Sequence, residues 1–372
     1  MLELAEELAR WCGLGRSFAV ATVVAAHGSA PRQPGAAMAV DADGTVIGSV
    51  SGGCVEAAVY DLCQEALVSG CCVLRRFGYS DDDAFATGLS CGGVLEIFVQ
   101  PVLPARRPEL VGALAAAAAQ EASTMARVVS GPDDLLGRAL IVRADGSREG
   151  TFGDSTLDAA VHAEAAVFLE AGRTVMVETG TRGERCGEQL MLLVESSTPP
   201  PRMLVFGAID FAAALVRIGV YLGFHVTVCD ARPVFATSAR FPEADEVVVE
   251  WPHRYMESQT LDGRTVVCAL THDAKFDVPL LERALRLPVA YVGAMGSRRT
   301  HLRRLELLRR AGVTEGELER LHAPIGLDLG ARTPQETALS IAAEIVAHRR
   351  GGSGRPLTSK TGPIHRDTVP RP

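Results

Sequence analysis

The chain has 372 residues, 47% of them hydrophobic and 22% charged, with a formal net charge of −8. That length and apolar content suffice for a large core divided over two domains, and the acidic balance supplies neither a field for nucleic acid nor a polybasic helix for a membrane surface. The most apolar stretches, Phe18 to Ala26 and Val111 to Ala119, fall well short of the roughly 20 residues that a spanning helix needs.

The first residues, Met-Leu-Glu-Leu-Ala-Glu-Glu, are acidic where a signal peptide is basic, so a cytoplasmic protein is expected. Nine cysteines, at 12, 54, 63, 71, 72, 91, 186, 229 and 268, contain no C-x-x-C pair. Structural zinc is not expected, and an odd count in a chain of this size points to reduced thiols, most of them small buried hydrophobes.

In chain order, Phe18 to Ala26 reads as a buried strand. Ala36 to Val40 and Thr45 to Val50 read as a hairpin about Asp41-Ala-Asp-Gly44, and Val55 to Val68 as a helix. Strands follow at Val73 to Phe77 and Val94 to Val99, then an alanine-rich helix from Ala105 to Gln120 and a second hairpin through Leu140 and Asp145-Gly146. A helix from Thr156 to Glu170 and strands at Thr174 to Glu178 and Leu190 to Val194 complete a sheet-rich α+β half. Three prolines in Ser196-Ser-Thr-Pro-Pro-Pro-Arg202 mark a linker.

Beyond it strand and helix alternate: strands at Met203 to Phe206, His225 to Cys229, Val247 to Glu250, Thr265 to Leu270 and Val289 to Val292, with helices at Ala208 to Leu222, Val278 to Leu287 and Arg303 to Arg310. This rhythm predicts a doubly wound parallel sheet with its ligand at the strand C-termini. Thr333-Pro-Gln-Glu336 predicts a capping box opening the last helix. From Gly351 onward, glycine and polar residues without apolar periodicity predict a disordered tail.

Several constellations carry chemistry. Gly207-Ala-Ile-Asp-Phe-Ala212 sits where a dinucleotide fingerprint would, with Asp230 ending the next strand as the ribose partner. Ile209 replaces the glycine that lets a pyrophosphate approach, and Asp210 places a carboxylate at the helix start, so NAD(P) is not the expected ligand. The alternative is a structural helix start. Ser51-Gly52-Gly53-Cys54-Val-Glu56 puts a thiol after a glycine turn, predicted in the first turn of a helix whose dipole favours thiolate; otherwise it is a small residue in a tight turn. Leu89-Ser-Cys91-Gly92-Gly93 repeats the theme, and we expect Cys54 and Cys91 to converge on one cleft as catalytic thiols or metal ligands.

In His27-Gly-Ser29-Ala-Pro-Arg32-Gln-Pro-Gly35, Ser29 and Arg32 suit an anionic group, or form a solvated turn. Thr271-His272-Asp273 and Gly293-Ala-Met-Gly296-Ser297-Arg298-Arg299-Thr300 lie at predicted strand ends. Arg298 and Arg299 are candidates for a phosphate, or part of an Arg-rich surface.

Taken together, these segments, with Leu321-His-Ala-Pro-Ile-Gly-Leu-Asp-Leu-Gly-Ala-Arg-Thr-Pro334, resemble the XdhC/CoxI family of accessory proteins of xanthine dehydrogenase and carbon monoxide dehydrogenase. The likeness covers about residues 18 to 101 and 203 to 351, and nothing comparable between. It implies an α+β domain followed by a Rossmann-like one, and a chaperone more than an enzyme. Such a protein binds molybdenum cofactor, in its molybdopterin or dinucleotide form, helps a cysteine desulfurase sulfurate it, and delivers it to an apo-molybdenum hydroxylase. A homodimer is expected. The departure from the family pattern is Ile209-Asp210, where many members look like Gly-His. Two other readings stay open: an NAD(P)-dependent oxidoreductase, and one component of a xanthine dehydrogenase-like enzyme.

Overall fold

The structure, a computed structural model, describes residues 1–28, 32–78, 93–180 and 189–359. It divides into a unit ending at Pro199 and a second running from Pro200.

The first unit opens with helix α1 (Ala5–Gly13), then strands β1 (Phe18–His27), β2 (Ala37–Asp41) and β3 (Val46–Gly48), helix α2 (Glu56–Ser69), and strands β4 (Val73–Phe77) and β5 (Val94–Val102). The same succession follows again: α3 (Pro108–Ala118), β6 (Ser123–Ser130), β7 (Ala139–Arg143), β8 (Arg148–Gly150), α4 (Ser155–Ala171), β9 (Val175–Gly180) and β10 (Gln189–Ser197). Each set forms one antiparallel five-stranded sheet, in the order β3-β2-β1-β5-β4 and β8-β7-β6-β10-β9. The unit is therefore an internal duplication. The sequence reading missed α1 and β6 and saw no repeat.

Alternation along the strands explains the layering. Ala19, Ala21 and Val23 of β1 face Val59, Cys63 and Ala66 of α2, whereas Phe18 and Val20 join Met125, Ala139 and Ile141 of the other sheet. Val24, Phe98, Val129 and Leu193 continue that inter-sheet layer. Ala126, Val128 and Leu192 face the opposite way, onto Leu157 and Val161 of α4. The order is helix, sheet, sheet, helix.

The duplication holds residue by residue from β2 to β4. Gly35, Gly44, Gly48 and Gly70 each recur 102 positions later as Gly137, Gly146, Gly150 and Gly172, and all eight have positive φ. A β-carbon on Gly48 would collide with the carbonyl oxygen of Ala37, and one on Gly150 with that of Ala139. Both the left-handed backbone and the collision penalise a side chain. Gly48→Ala and Gly150→Ala are accordingly expected to destabilise the protein alike, by about 1–3 kcal/mol each, read from denaturant midpoints. A loss in only one would show that the two turns are not equivalent.

The second unit contains β11 (Arg202–Phe206), α5 (Asp210–Tyr221), β12 (His225–Asp230), β13 (Glu246–Val249), α6 (Pro252–Ser258), β14 (Val266–Ala269), α7 (Ala274–Ala284), β15 (Tyr291–Ala294), α8 (Arg298–Arg310), α9 (Glu315–Leu318), β16 (Leu321–His322) and α10 (Pro334–Arg350). All six strands are parallel, in the order β13-β12-β11-β14-β15-β16. The chain thus reverses its winding between β11 and β14, where a doubly wound sheet opens a crevice at the strand C-termini. Apolar clusters cover both faces, one under α5 and α10 and one under α7 and α8. The capping box on Thr333 and Glu336 forms as predicted. Only Thr198 to Pro201 separate β10 from β11, a shorter link than predicted. The stretch predicted disordered from Gly351 is described as far as Ser359, with Gly351 capping α10 and a 3-10 turn at Leu357–Ser359.

Candidate functional site

In the first unit the glycine turn between β3 and α2 is wrapped around one carboxylate. Glu56 accepts from the Ser49 hydroxyl (2.7 Å) and from the backbone amides of Ser51 (2.9 Å), Gly53 (2.8 Å) and Val55 (3.2 Å), as well as from the Ser51 hydroxyl. The Ser51 oxygen in turn accepts from the amides of Cys54 and Val55, and Gly52 donates to Ser49. The amides of Gly52 and Gly53, expected from the glycine turn to be open to a cofactor, are thus bonded within the loop. What the loop presents outward is Cys54, which is exposed. The helix begins at Glu56, so Cys54 stands ahead of the first turn and not inside it.

The second half keeps the scaffold without the thiol. The Thr151 hydroxyl donates to Asp158 as that of Ser49 does to Glu56, the Phe152 amide donates from one position earlier in the repeat than Ser51, and Thr156, 102 positions after Cys54, lies inside α4. Burial opposes the charge on Glu56, yet the hydrogen bonds from Ser51 and Ser49 outweigh it and bring its carboxyl down to about 2. A lowered carboxyl value means that the loop's stabilisation is complete above the ordinary value near 4.5 and disappears as pH falls through about 2. Hydrogen exchange at residues 51–55 should therefore stay protected to below pH 4, and Glu56→Gln should remove that protection at neutral pH. Protection unchanged in Glu56→Gln would mean that the carboxylate does not hold the loop.

Cys91, Gly92 and Ser29 lie outside the described residues, and with them the expected convergence of Cys54 and Cys91. Among the described residues no group of three or more His, Cys, Asp or Glu is placed to hold a metal ion. Arg32 is half-buried, and its Nη2 already donates to both oxygens of Glu3, at 2.9 and 3.1 Å, beside a hollow that also contains Glu195. That acidic company does not favour an anion.

In the second unit a cleft of about 580 Å³ opens at the C-terminal ends of the strands, bordered by Ile209, Arg232, Thr271, His272, Asp273, Lys275, Asp277, Thr300, Arg303 and Arg304. The predicted Thr271, His272 and Asp273 are here; Gly207, Asp230, Gly296, Ser297, Arg298 and Arg299 are not among its lining residues. Gly207 has φ +111°, and a β-carbon there would come within 3.0–3.1 Å of Thr271 and Leu270. Its glycine serves the close approach of β11 and β14. Asp230 accepts from the Ala208 amide (2.8 Å) and grips Arg232 through both oxygens (2.9 and 2.7 Å). Burial raises and these hydrogen bonds lower its carboxyl, and the bonds prevail. It braces the turn that would otherwise face a ribose. Ser297 caps α8 by accepting from the Thr300 amide at 3.1 Å. The cleft face of α8 is Thr300, Arg303, Arg304 and Leu307, a helical i, i+3, i+4, i+7 stripe, which leaves Arg298 and Arg299 outside it. Sequence reasoning missed Arg232, Lys275, Arg303 and Arg304; that spacing was the available signal for the pair on α8.

The model of the XdhC and CoxI family matches residues 11–78 and 116–180, and that of the XdhC Rossmann domain matches 203–345. The chain belongs to the XdhC and CoxI family. The two N-terminal matches span equivalent parts of the duplication, each from the end of the leading helix to the end of the fourth strand, so the family signature extends into the region that by sequence showed nothing comparable. Among relatives, this family member is 23% identical to a Bacillus subtilis protein named as a probable component of xanthine dehydrogenase, over 89% of this chain and 93% of the relative. It is 27% identical to the molybdenum cofactor insertion chaperone PaoD of Escherichia coli, over 90% of this chain and 84% of the relative. A Bacillus halodurans crystal structure named as a xanthine dehydrogenase shares the fold with a TM-score of 0.71 at 23% identity, over 96% of this chain and 97% of that one. No helix among the described residues is long and apolar enough to cross a membrane.

Proposed function

We propose that this chain is a molybdenum cofactor maturation factor, which holds the cofactor, helps a cysteine desulfurase sulfurate it and passes it to an apo-hydroxylase of the xanthine or carbon monoxide dehydrogenase type. The observation that carries the reading is Cys54, held outward by a loop whose own amides are bonded to Glu56. A soft oxo-sulfido metal centre is matched by a thiolate, and a chaperone needs no acid/base pair of its own. In this reading Cys54, with Cys91 from the neighbouring glycine motif, meets the molybdenum as ligand or sulfur carrier. The chain acts in the cytoplasm as a homodimer, and the cofactor is bound in its molybdopterin or dinucleotide form. The similarity to PaoD, named as an insertion chaperone, supports this reading over that of an enzyme component.

An NAD(P)-dependent oxidoreductase is the weaker reading. The sheet order suits a dinucleotide, but the Ala208 amide is already bonded to Asp230, Ile209 borders the cleft, and Asp210 opens α5 with a carboxylate. The test is anaerobic purification from cells that make the cofactor, followed by metal analysis and pterin fluorescence. Molybdenum and pterin in near-equal amounts are expected; protein free of both overturns the proposal.

A further inference from the structure

The cleft of the second unit has an asymmetric wall. Three helices begin around it, and a helix N-terminus attracts anions through its amides and dipole. At α5 the first helical residue is Asp210, and at α7 the cap is Asp273 with Asp277 in the first turn. Only α8 of these three starts without an acidic residue, behind the neutral cap Ser297.

The cations follow the same division. Arg232 is held by Asp230 at 2.7 Å and Lys275 by Asp273 at 3.0 Å. Arg304 is 3% exposed and bonded to Asp277 at 2.7 Å, and its other terminal nitrogen, Nη1, is buried with no hydrogen-bond partner. Arg303, one position earlier, is exposed on the cleft and forms no ion pair among the described residues. Thr300 adds a hydroxyl one turn above both arginines. Ile209, Leu270, Phe276 and Val278 add apolar surface to the same cleft.

We propose that this cleft binds the phosphate ester of a planar heterocycle, with the phosphate against Arg303, the Thr300 hydroxyl and the unpartnered Nη1 of Arg304, and the ring against these apolar residues. That is the reverse of the usual dinucleotide arrangement, in which the first helix of the fold receives the phosphate. A guanidinium without a competing carboxylate is the group best suited to a phosphate, because its planar fork matches two oxygens. The proposal deepens the maturation reading and rests on it only for the source of the ligand, a pterin phosphate as against a nucleotide.

The test is calorimetric titration of the purified full chain, free of molybdenum, with inorganic pyrophosphate, ADP and a pterin monophosphate. Saturable, salt-sensitive binding of at least one ester is expected, weakened about tenfold or more by Arg303→Ala and restored only in part by Arg303→Lys, which keeps the charge but not the planar fork. Arg298→Ala and Arg299→Ala should bind as the parent chain does. Tighter binding of the pterin ester assigns the source to the cofactor, and tighter binding of ADP assigns it to a nucleotide. No binding of any probe, or equal losses in the Arg298, Arg299 and Arg303 variants, overturns the proposal. Cys54→Ser should leave this binding unchanged, so a failed cofactor-sulfuration reading and a failed phosphate site are separable.

Discussion

Cys54→Ser is expected to abolish activation of the partner hydroxylase while leaving the fold intact. The side chain is exposed, and its loop is held by the hydrogen bonds of Glu56, Ser49 and Ser51. Surface exchanges of this kind change stability by no more than about 0.5 kcal/mol, so lost activation is not explained by unfolding. The other thiols supply the controls. Burial pushes Cys63 and Cys229 up to about 12 and Cys268 higher still, so none of these three is a nucleophile at neutral pH. Cys71 is exposed but lies outside the glycine loop, and Cys71→Ser should activate the hydroxylase as the parent does. The assay is hydroxylase activity after co-expression, with alkylation mapped by mass spectrometry. Full activation by Cys54→Ser, or alkylation of Cys268 ahead of Cys54, sinks the thiol mechanism and leaves recognition to the arginines of the second unit.

The parallel sheet was legible because its strands are continuous apolar runs punctuated by capped helices; Met203 to Phe206 and Thr333 to Glu336 behave as read. The duplication was also written in the chain, in Ala42-Asp43-Gly44 and Ala144-Asp145-Gly146 and in Gly48 and Gly150 with Glu56 and Asp158 at the same distance beyond. It escaped notice because the motif that attracts the eye, Gly-Gly-Cys, survives in one copy only. Strand β6 was hidden for a different reason. Its run Ser-Thr-Met-Ala-Arg-Val-Val-Ser has polar residues on the face that meets the other sheet, and these look like surface until a partner is known. At the cleft Thr271, His272 and Asp273 were legible, but the positions of the arginines were not. Arginines after a glycine turn suggest an anion, but which of them face it is decided by helical phase, and that phase depends on α8 starting at Arg298.

A buried ion pair between Arg127 of β6 and Glu195 of β10 carries the second large effect. Arg127 is fully buried between the two sheets, where it donates to Glu195 (3.2 Å), Gln100 (3.2 Å) and Thr22 (3.0 Å) and lies over the ring of Phe98. Burial opposes the charge on Glu195, but the Met1 ammonium and Arg127 more than offset it and hold the carboxyl below its ordinary value. Glu195 is therefore ionised through the neutral range, and its contribution is complete above about pH 4.5 and lost on further acidification. Glu195→Gln keeps the shape and removes the charge, leaving the Arg127 guanidinium and the Met1 ammonium buried without their counter-ion. Breaking such a pair from one side costs about 3–5 kcal/mol, which is a large share of the roughly 5–15 kcal/mol that holds a domain together. Replacing both partners, as Arg127→Met with Glu195→Leu, removes two desolvated charges together and should recover the part of that loss that the guanidinium carries, the Met1 ammonium still lacking its carboxylate. Denaturant titration of the parent, the single and the double variant decides the matter. If the double variant is as unstable as Glu195→Gln, the penalty lies in packing between the sheets or at the Met1 ammonium and not in an orphaned guanidinium.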